Sequence, residues 1–199
     1  MESPAFDAKP AVLRCSRCGR FVDWAESRLQ VVCDCRSRLE LPPVFVRAAD
    51  DSDRAPLREL FARDFGHTGK IVAFGEEVSL EAAPAIVAGM RDELGGALAY
   101  RLLGNALHIV ALATDPMWQR AGVGGYLLAE AQLLARKLNL QRLVVATSND
   151  NLPALYFYQR HGFEMLELIP GAILSQLGRQ VAGFAGIPIR DEVRLQKSL

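Results

Sequence analysis

The 199-residue chain has room for one domain of ordinary size with a small appendage, and with 50% apolar residues it is not globally disordered. Lysine plus arginine and aspartate plus glutamate number 23 each, so a neutral chain has no global electrostatic reason to bind nucleic acid or an anionic membrane. Its first residues lack a basic patch followed by an apolar stretch, and no apolar run approaches bilayer-spanning length; a cytoplasmic location is expected.

Residues 1–10 read as a loose tail. Residues 11–41 form a compositional island that holds all 4 cysteines, with Leu29 to Val32 suited to one arm of a hairpin. Pro42-Pro43 is a short stiff linker, which predicts a boundary between a segment at 1–43 and a domain at 44–199. Val44 to Arg47 reads as a strand. Asp50 to Asp53 offers helix N-caps, Pro56 suits a first turn, and Leu57, Leu60, Phe61 and Phe65 keep helical spacing up to Gly66. Residues 67–84 carry no clear period. Strands are predicted at 85–90, 97–103 and 107–114, joined through Gly95-Gly96 and Gly104-Asn105 as an antiparallel meander.

The pattern then changes. Val123, Leu127, Ala131, Leu134 and Leu138 mark an amphipathic helix, 142–147 a β-branched strand, 153–160 a helix ended by Gly162, and 163–169 a strand. Strand, helix, strand, helix, strand is α/β logic and predicts locally parallel pairing.

Between the meander and the amphipathic helix lies Gln119-Arg120-Ala121-Gly122-Val123-Gly124-Gly125. Glycines at a strand-to-helix turn let backbone N–H groups approach a ligand, and the helix N-terminus adds unpaired donors and a positive dipole end. That suits a pyrophosphate. The third position after Gly124 is Leu127, so the dinucleotide Gly-x-Gly-x-x-Gly pattern is absent, as is the Gly-Lys-Ser/Thr of a nucleotide-hydrolysing P-loop. Alone, the turn is equally compatible with an ordinary helix start.

Gln119-x-x-Gly122-x-Gly124, after a strand ending in Thr114-Asp115-Pro116, resembles the acetyl-CoA loop of the GNAT acetyltransferase superfamily. Downstream, the run from Asn151 through Ala154 and Tyr158 to Gly162-Phe163 resembles the Asn-x-x-Ala-x-x-x-Tyr-x-x-x-Gly-Phe segment of the same superfamily. One helix and one strand separate the two elements, as that fold requires. The tail, with Pro170-Gly171-Ala172 and Gly186 to Glu192, resembles an uncharacterised bacterial branch, from which Leu174 to Ala185 departs. The resemblance covers roughly 44–199 and implies an α/β class: a mixed α+β sheet of the acyl-CoA N-acyltransferase type.

It also implies acetyl-CoA as co-substrate and a primary amine as acceptor, in a small molecule or a protein. The strand ending at Thr114 is expected to splay from 142–147, so that the pantetheine arm pairs with the backbone of Leu112, Ala113 and Thr114, and the pyrophosphate meets Gln119, Arg120, Ala121, Gly122, Val123, Gly124 and Gly125. Tyr158 takes the family's tyrosine position; a phenol is protonated at neutral pH and can donate to the departing thiolate, unless it is only a packed aromatic. Asn151 is a cofactor contact or a helix cap. For the base, His108 on the strand before the loop and Glu192 in the tail are candidates; a strand histidine is more often structural. Arg190, Asp191 and Glu192 either line the acceptor pocket or form a plain edge strand. Trp118 reads as core cover, and His67 and His161 as surface residues.

Cys15-x-x-Cys18-Gly19 is a good zinc-knuckle half and Cys33-x-Cys35 a tighter second one. Four thiolates can close a structural zinc-ribbon-like site, and a segment this short needs such a staple; free thiols or a lost site are the alternative. A different class of function is a non-catalytic acetyl-CoA sensor whose zinc ribbon recruits a protein or nucleic-acid partner. An exposed edge strand permits a homodimer.

Overall fold

The structure, a computed structural model, describes residues 12–14, 17–18, 21–23, 31–32, 35–36, 38–39, 44–66, 69–90, 93–119 and 122–199. At the N-terminal end, β1 (Val12–Arg14) pairs antiparallel with β2 (Phe21–Asp23), and β3 (Val31–Val32) with β4 (Arg38–Leu39). The hairpin arm expected near Val32 is thus present. Cys18 is exposed and Cys35 half-buried, whereas Cys15 and Cys33 lie outside the described residues. Among the described residues no group of three or more His, Cys, Asp or Glu could hold a metal ion.

β5 (Val44–Ala48) leads through a 3-10 turn at Asp51–Asp53 into α1 (Arg54–Phe65). The entry is pinned by Asp53: it accepts from the two terminal guanidinium nitrogens of Arg47, at 2.5 and 2.9 Å, and from the Asp50 N–H at 2.8 Å. Next come β6 (Lys70–Ala73), β7 (Glu76–Ser79), β8 (Ala85–Met90), β9 (Glu93–Leu103) and β10 (Ala106–Thr114). They are followed by α2 (Val123–Lys137), β11 (Arg142–Ser148), α3 (Leu152–Arg160) and β12 (Glu164–Ile169). The chain ends with α4 (Ala172–Leu177), the short pair β13 (Val181–Ala182) and β14 (Pro188–Ile189), and β15 (Glu192–Ser198).

The main sheet has seven strands in the order β12-β15-β11-β10-β9-β8-β5. It is mixed: β10 and β11 run parallel and every other neighbouring pair is antiparallel. The expectation of locally parallel pairing holds for that one pair only. β12 does not join β11, because β15 is inserted between them. The tail is therefore an interior strand of the sheet rather than an edge, and Asp191 and Glu192 are buried at its start. The segment Leu174 to Ala185, where the sequence departs from the bacterial branch, carries most of α4 and β13.

Side chains alternate across the sheet and build two cores. Ile86, Leu98, Leu107, Ile109 and Leu143 pack on one face under Val123, Leu127, Leu128 and Ala131 of α2 and Tyr158 of α3. Val87, Ala97, Ala99, Val110, Ala111 and Ala113 face the other side, under Leu60 and Phe61 of α1 and Ala73 and Leu80 around the β6–β7 hairpin. Val110 and Ala111 are consecutive yet share a face, which marks a β-bulge; the β9–β10 register shifts between Ile109 and Ala111.

One expectation from sequence is corrected, and one unread stretch is filled in. Gly95 and Gly96 do not connect strands; they lie inside β9. A Cβ on Gly96 would lie 2.8 Å from Val123 Cγ1 and 2.9 Å from the Ala113 carbonyl oxygen, and one on Gly95 would lie 3.1 Å from Trp118 Cγ. These glycines mark close approach to the sheet, not a turn. The stretch 67–84 holds the β6–β7 hairpin, whose two central residues, Phe74 and Gly75, have φ of 58° and 77°. Such a turn normally takes Asn-Gly, so a phenylalanine hides it from sequence patterns. Tertiary contacts hold it instead: the Phe74 N–H donates to Glu192 Oε2 at 3.1 Å, and its ring packs edge-on to His108 with Arg101 and Arg194 nearby.

Candidate active site

The ladder between β10 and β11 runs from Ala106↔Arg142 to Ile109↔Val145 and stops. β10 continues to Thr114 against β9, and β11 to Ser148 against β15, so the two parallel strands part just where the bulge at Val110 bends β10. The splay implied by the family resemblance is present. Strand backbone beyond the last rung has no neighbour on its inner side, and such N–H and C=O groups need partners.

Two clefts open at this fork. The first, of about 540 Å³, is walled by Leu112 and Thr114 of β10, Trp118, Gln119, the first turn of α2 from Gly122 to Gly125, and Asn151, Ala154, Phe157, Tyr158 and His161 around α3. The second, 270 Å³, is walled by Phe65, Ile71, Val72 and Ala73 from α1 and β6, Val110, Ala146 to Ser148 of β11, Ile173 and Glu192. Asp64 and Asn151 line both.

The first cleft is built largely by backbone and glycine. Asp115 N–H donates to the Gly95 carbonyl at 2.9 Å, and the Asp115 carboxylate accepts from Met117 N–H at 2.8 Å, which turns the chain out of β10. Trp118, resting against Gly95, packs on the core as expected and also walls the cleft. Gly122 takes φ 83°, a left-handed conformation that suits glycine, and starts α2 with no side-chain cap. The first N–H groups of α2 have no intrahelical acceptor and the helix dipole is positive there. Arg120 and Ala121 lie outside the described residues. A Cβ on Gly124 would lie 3.0 Å from Phe157 Cζ, and one on Gly125 3.3 Å from His161 Nε2. Glycine at these two positions is what lets α3 close over the N-terminus of α2.

α3 starts at Asn151, whose Oδ1 accepts the Ala154 N–H at 3.2 Å. Its cap role is realised, and its NH2 group remains for a ligand. Tyr158 is 6% exposed, its ring T-shaped to Phe157 and Phe163 at centroid distances of 5.3 and 5.4 Å. No hydrogen bond joins its hydroxyl to a described residue, and burial pushes the phenol well above its ordinary pKa. His161 is not a surface residue: it is half-buried, lines the first cleft, and its Nδ1 lies 2.8 Å from the Phe157 carbonyl. The short α3 helix turns it back toward α2.

His108 sits on the paired part of β10, opposite Val144 and Arg101, before the fork, and walls neither cleft. Its ring meets Phe74 at 4.6 Å, its Nδ1 is buried without a partner, and burial followed by the charges of Arg101, Arg142 and Arg194 lowers its pKa. Glu192 does wall the second cleft, but Arg194 Nε donates to its Oε1 at 2.6 Å and Phe74 N–H to its Oε2. Arg190 is exposed and clamps Asp191, which in turn accepts from the Gly171 N–H at 2.8 Å.

Residues 34–163 match the profile of the Acetyltransferase (GNAT) family. The chain belongs to that family. It is an acetyltransferase that acts with CoA. An uncharacterised Bacillus subtilis protein, YdhI, is 28% identical over 145 residues, covering 71% of this chain and 89% of its own. The streptothricin acetyltransferase of Streptomyces lavendulae is 30% identical over 110 residues, 54% of this chain and 57% of its own. Among solved structures, a Bacillus subtilis acetyltransferase in complex with CoA superposes with a TM-score of 0.64 at 23% identity, over 78% of this chain and 99% of that one. At that identity the likeness speaks for the GNAT fold.

Sequence reading missed Asp64, Phe157 and His161 as cleft residues of this GNAT domain. Phe157 and His161 flank Tyr158 within the recognised segment and follow the one-sided spacing of a helix, which was a usable signal. Asp64 carried none: it is one charged residue among several on an exposed helix.

Proposed function

We propose that this enzyme moves an acetyl group from acetyl-CoA to a primary amine by direct attack, with the cofactor in the first cleft and the acceptor entering through the second. The end of the β10–β11 ladder at Ile109↔Val145, beside an uncapped glycine-rich helix start, carries this reading. The pyrophosphate belongs at Gln119 to Gly125, where free helix N–H groups and the dipole favour an anion. The pantetheine arm belongs along Leu112, Ala113 and Thr114, replacing the missing strand, and a backbone N–H there polarises the thioester carbonyl. Tyr158, protonated across the neutral range because burial raises its pKa, donates to the leaving thiolate. Asn151 offers its NH2 group at the junction. His108, walled off behind Phe74, takes a structural part rather than that of the base.

Titration of the purified protein with acetyl-CoA, with NADH as control, tests the reading. Saturable binding of acetyl-CoA alone is expected; no binding by well-folded protein would sink it.

For the N-terminal segment, we propose a structural zinc held by Cys15, Cys18, Cys33 and Cys35 in a unit at 1–43, separate from the acetyltransferase domain at 44–199. Each cysteine pair falls in sequence between the arms of a two-stranded hairpin, β1–β2 and β3–β4, an arrangement that suits two zinc knuckles. Metal analysis is expected to find about one zinc per chain, lost in Cys18→Ser. The reaction is placed in the cytoplasm, where thiolates stay reduced.

A further inference from the structure

We infer that the second cleft selects a cationic amine, and that Asp64 receives the ammonium group of this acceptor and removes its proton before attack. The inference rests on the cofactor occupying the first cleft. Among the described residues, the charged side chains that wall the second cleft are two carboxylates, Asp64 and Glu192, with no lysine or arginine. The two carboxylates are not equivalent. Glu192 is buried and compensated by Arg194 and the Phe74 N–H, so it serves to hold the hairpin tip against β15. Asp64 takes part in no ion pair or hydrogen bond with a described residue. Its neighbour Arg63 is engaged by Asp115 at 2.8 Å.

Asp64 is also the one charged side chain common to both clefts. It therefore stands where an amine coming from the second cleft meets the thioester in the first. The remaining walls of the second cleft are apolar or small and neutral: Phe65, Ile71, Val110 and Ala146 among them, with Thr147 and Ser148. A cation with an aliphatic body suits such a pocket, since its charge finds a counter-ion and its methylenes an apolar wall.

Among the described residues the charged and titratable groups around Asp64 are few. Arg63 and Asp115 neutralise each other, Glu192 and Arg194 do likewise, and on the α3 side His161 bonds its own helix and Tyr158 is protonated. Asp64 is an exposed residue, but partial desolvation at the cleft wall, the largest influence, moves its pKa upward, and Arg63 opposes it only in part. An upward shift brings the carboxylate closer to the amine it must deprotonate.

The protons and electrons balance as follows. The ammonium gives one proton to the Asp64 carboxylate, and the freed lone pair forms the C–N bond at the thioester carbonyl. Collapse of the adduct breaks the C–S bond, and the thiolate takes the phenol proton of Tyr158. The second nitrogen proton returns to the tyrosine oxygen through solvent, and Asp64 releases its proton to water. Ammonium plus thioester thus yields amide, thiol and one proton.

Putrescine is the probe, titrated into the CoA-saturated protein and, separately, assayed for thiol release with acetyl-CoA. The wild type is expected to bind putrescine and turn it over, with kcat/KM rising as pH climbs through an Asp64 pKa above the ordinary aspartate range. Asp64→Asn is expected to weaken putrescine binding about tenfold or more and to cut kcat/KM about 100-fold, with that acid limb gone. Asp64→Glu should restore part of both. Because Asp64 also borders the first cleft, acetyl-CoA affinity is titrated in all three proteins and putrescine is compared only with the cofactor site saturated; the loss of putrescine binding and turnover should exceed any change in acetyl-CoA affinity. Putrescine binding that is equal in Asp64→Asn, absent in the wild type, or unaccompanied by thiol release overturns the inference. Failure of acetyl-CoA to bind any of them overturns the cofactor reading instead.

Discussion

The two clefts that meet at the fork are made in different ways. The first draws on main chain: a bulged strand that loses its neighbour at Ile109, a left-handed Gly122, and an uncapped helix start with glycines at 124 and 125. The second is made by side chains from α1, β6, β10, β11, the first turn of α4 and the start of β15. A site made of main chain is tied to a short stretch of sequence and serves any ligand with the same phosphate and amide groups. A site assembled from side chains of distant elements is free to change one residue at a time. The contrast explains how one cofactor platform can serve different acceptors within a family.

Tyr158 is where that contrast is sharpest, because it is a side-chain function set in the main-chain cleft. Tyr158→Phe keeps the ring contacts to Phe157 and Phe163 and removes only the proton donor. If the first cleft binds through backbone, acetyl-CoA affinity should be unchanged while kcat falls about 100-fold. Single-turnover thiol release beside equilibrium titration separates the two. A parallel loss of affinity would show that the hydroxyl holds the cofactor, and a full kcat would leave Tyr158 as core packing.

How much was legible beforehand follows the same division. Helices α1 to α3, the β9–β10 hairpin and the loop from Gln119 to Gly125 lie within short windows whose periodicity and turn residues encode them; α4 showed no such period. The insertion of β15 between β11 and β12 does not: it pairs residues near 145 with residues near 195, and no local pattern reports such a partner. Gly95-Gly96 misled for a related reason. A glycine pair reads as a turn, yet here it answers to Val123 and Trp118, which come from elsewhere in the chain. The Phe74 turn is held by Glu192, 118 residues away. Asp64 became visible only when the fold set it between two clefts; in the sequence it is one more carboxylate beside Glu59 on the same helix.

Asn151 tests the comparison at its smallest scale, since it serves structure and walls both clefts at once. Its Oδ1 caps α3, so Asn151→Ala should lower unfolding free energy by about 1 kcal/mol, measurable in urea with an unchanged m-value. Asn151→Asp retains the cap oxygen and should keep that stability, while replacing the NH2 donor with an anion beside the cofactor. Acetyl-CoA should therefore bind Asn151→Asp more weakly than Asn151→Ala, although the aspartate protein is the more stable of the two. If affinity instead follows stability, Asn151 acts on the cleft only through the start of α3, and the main-chain account of the first cleft extends to this residue as well.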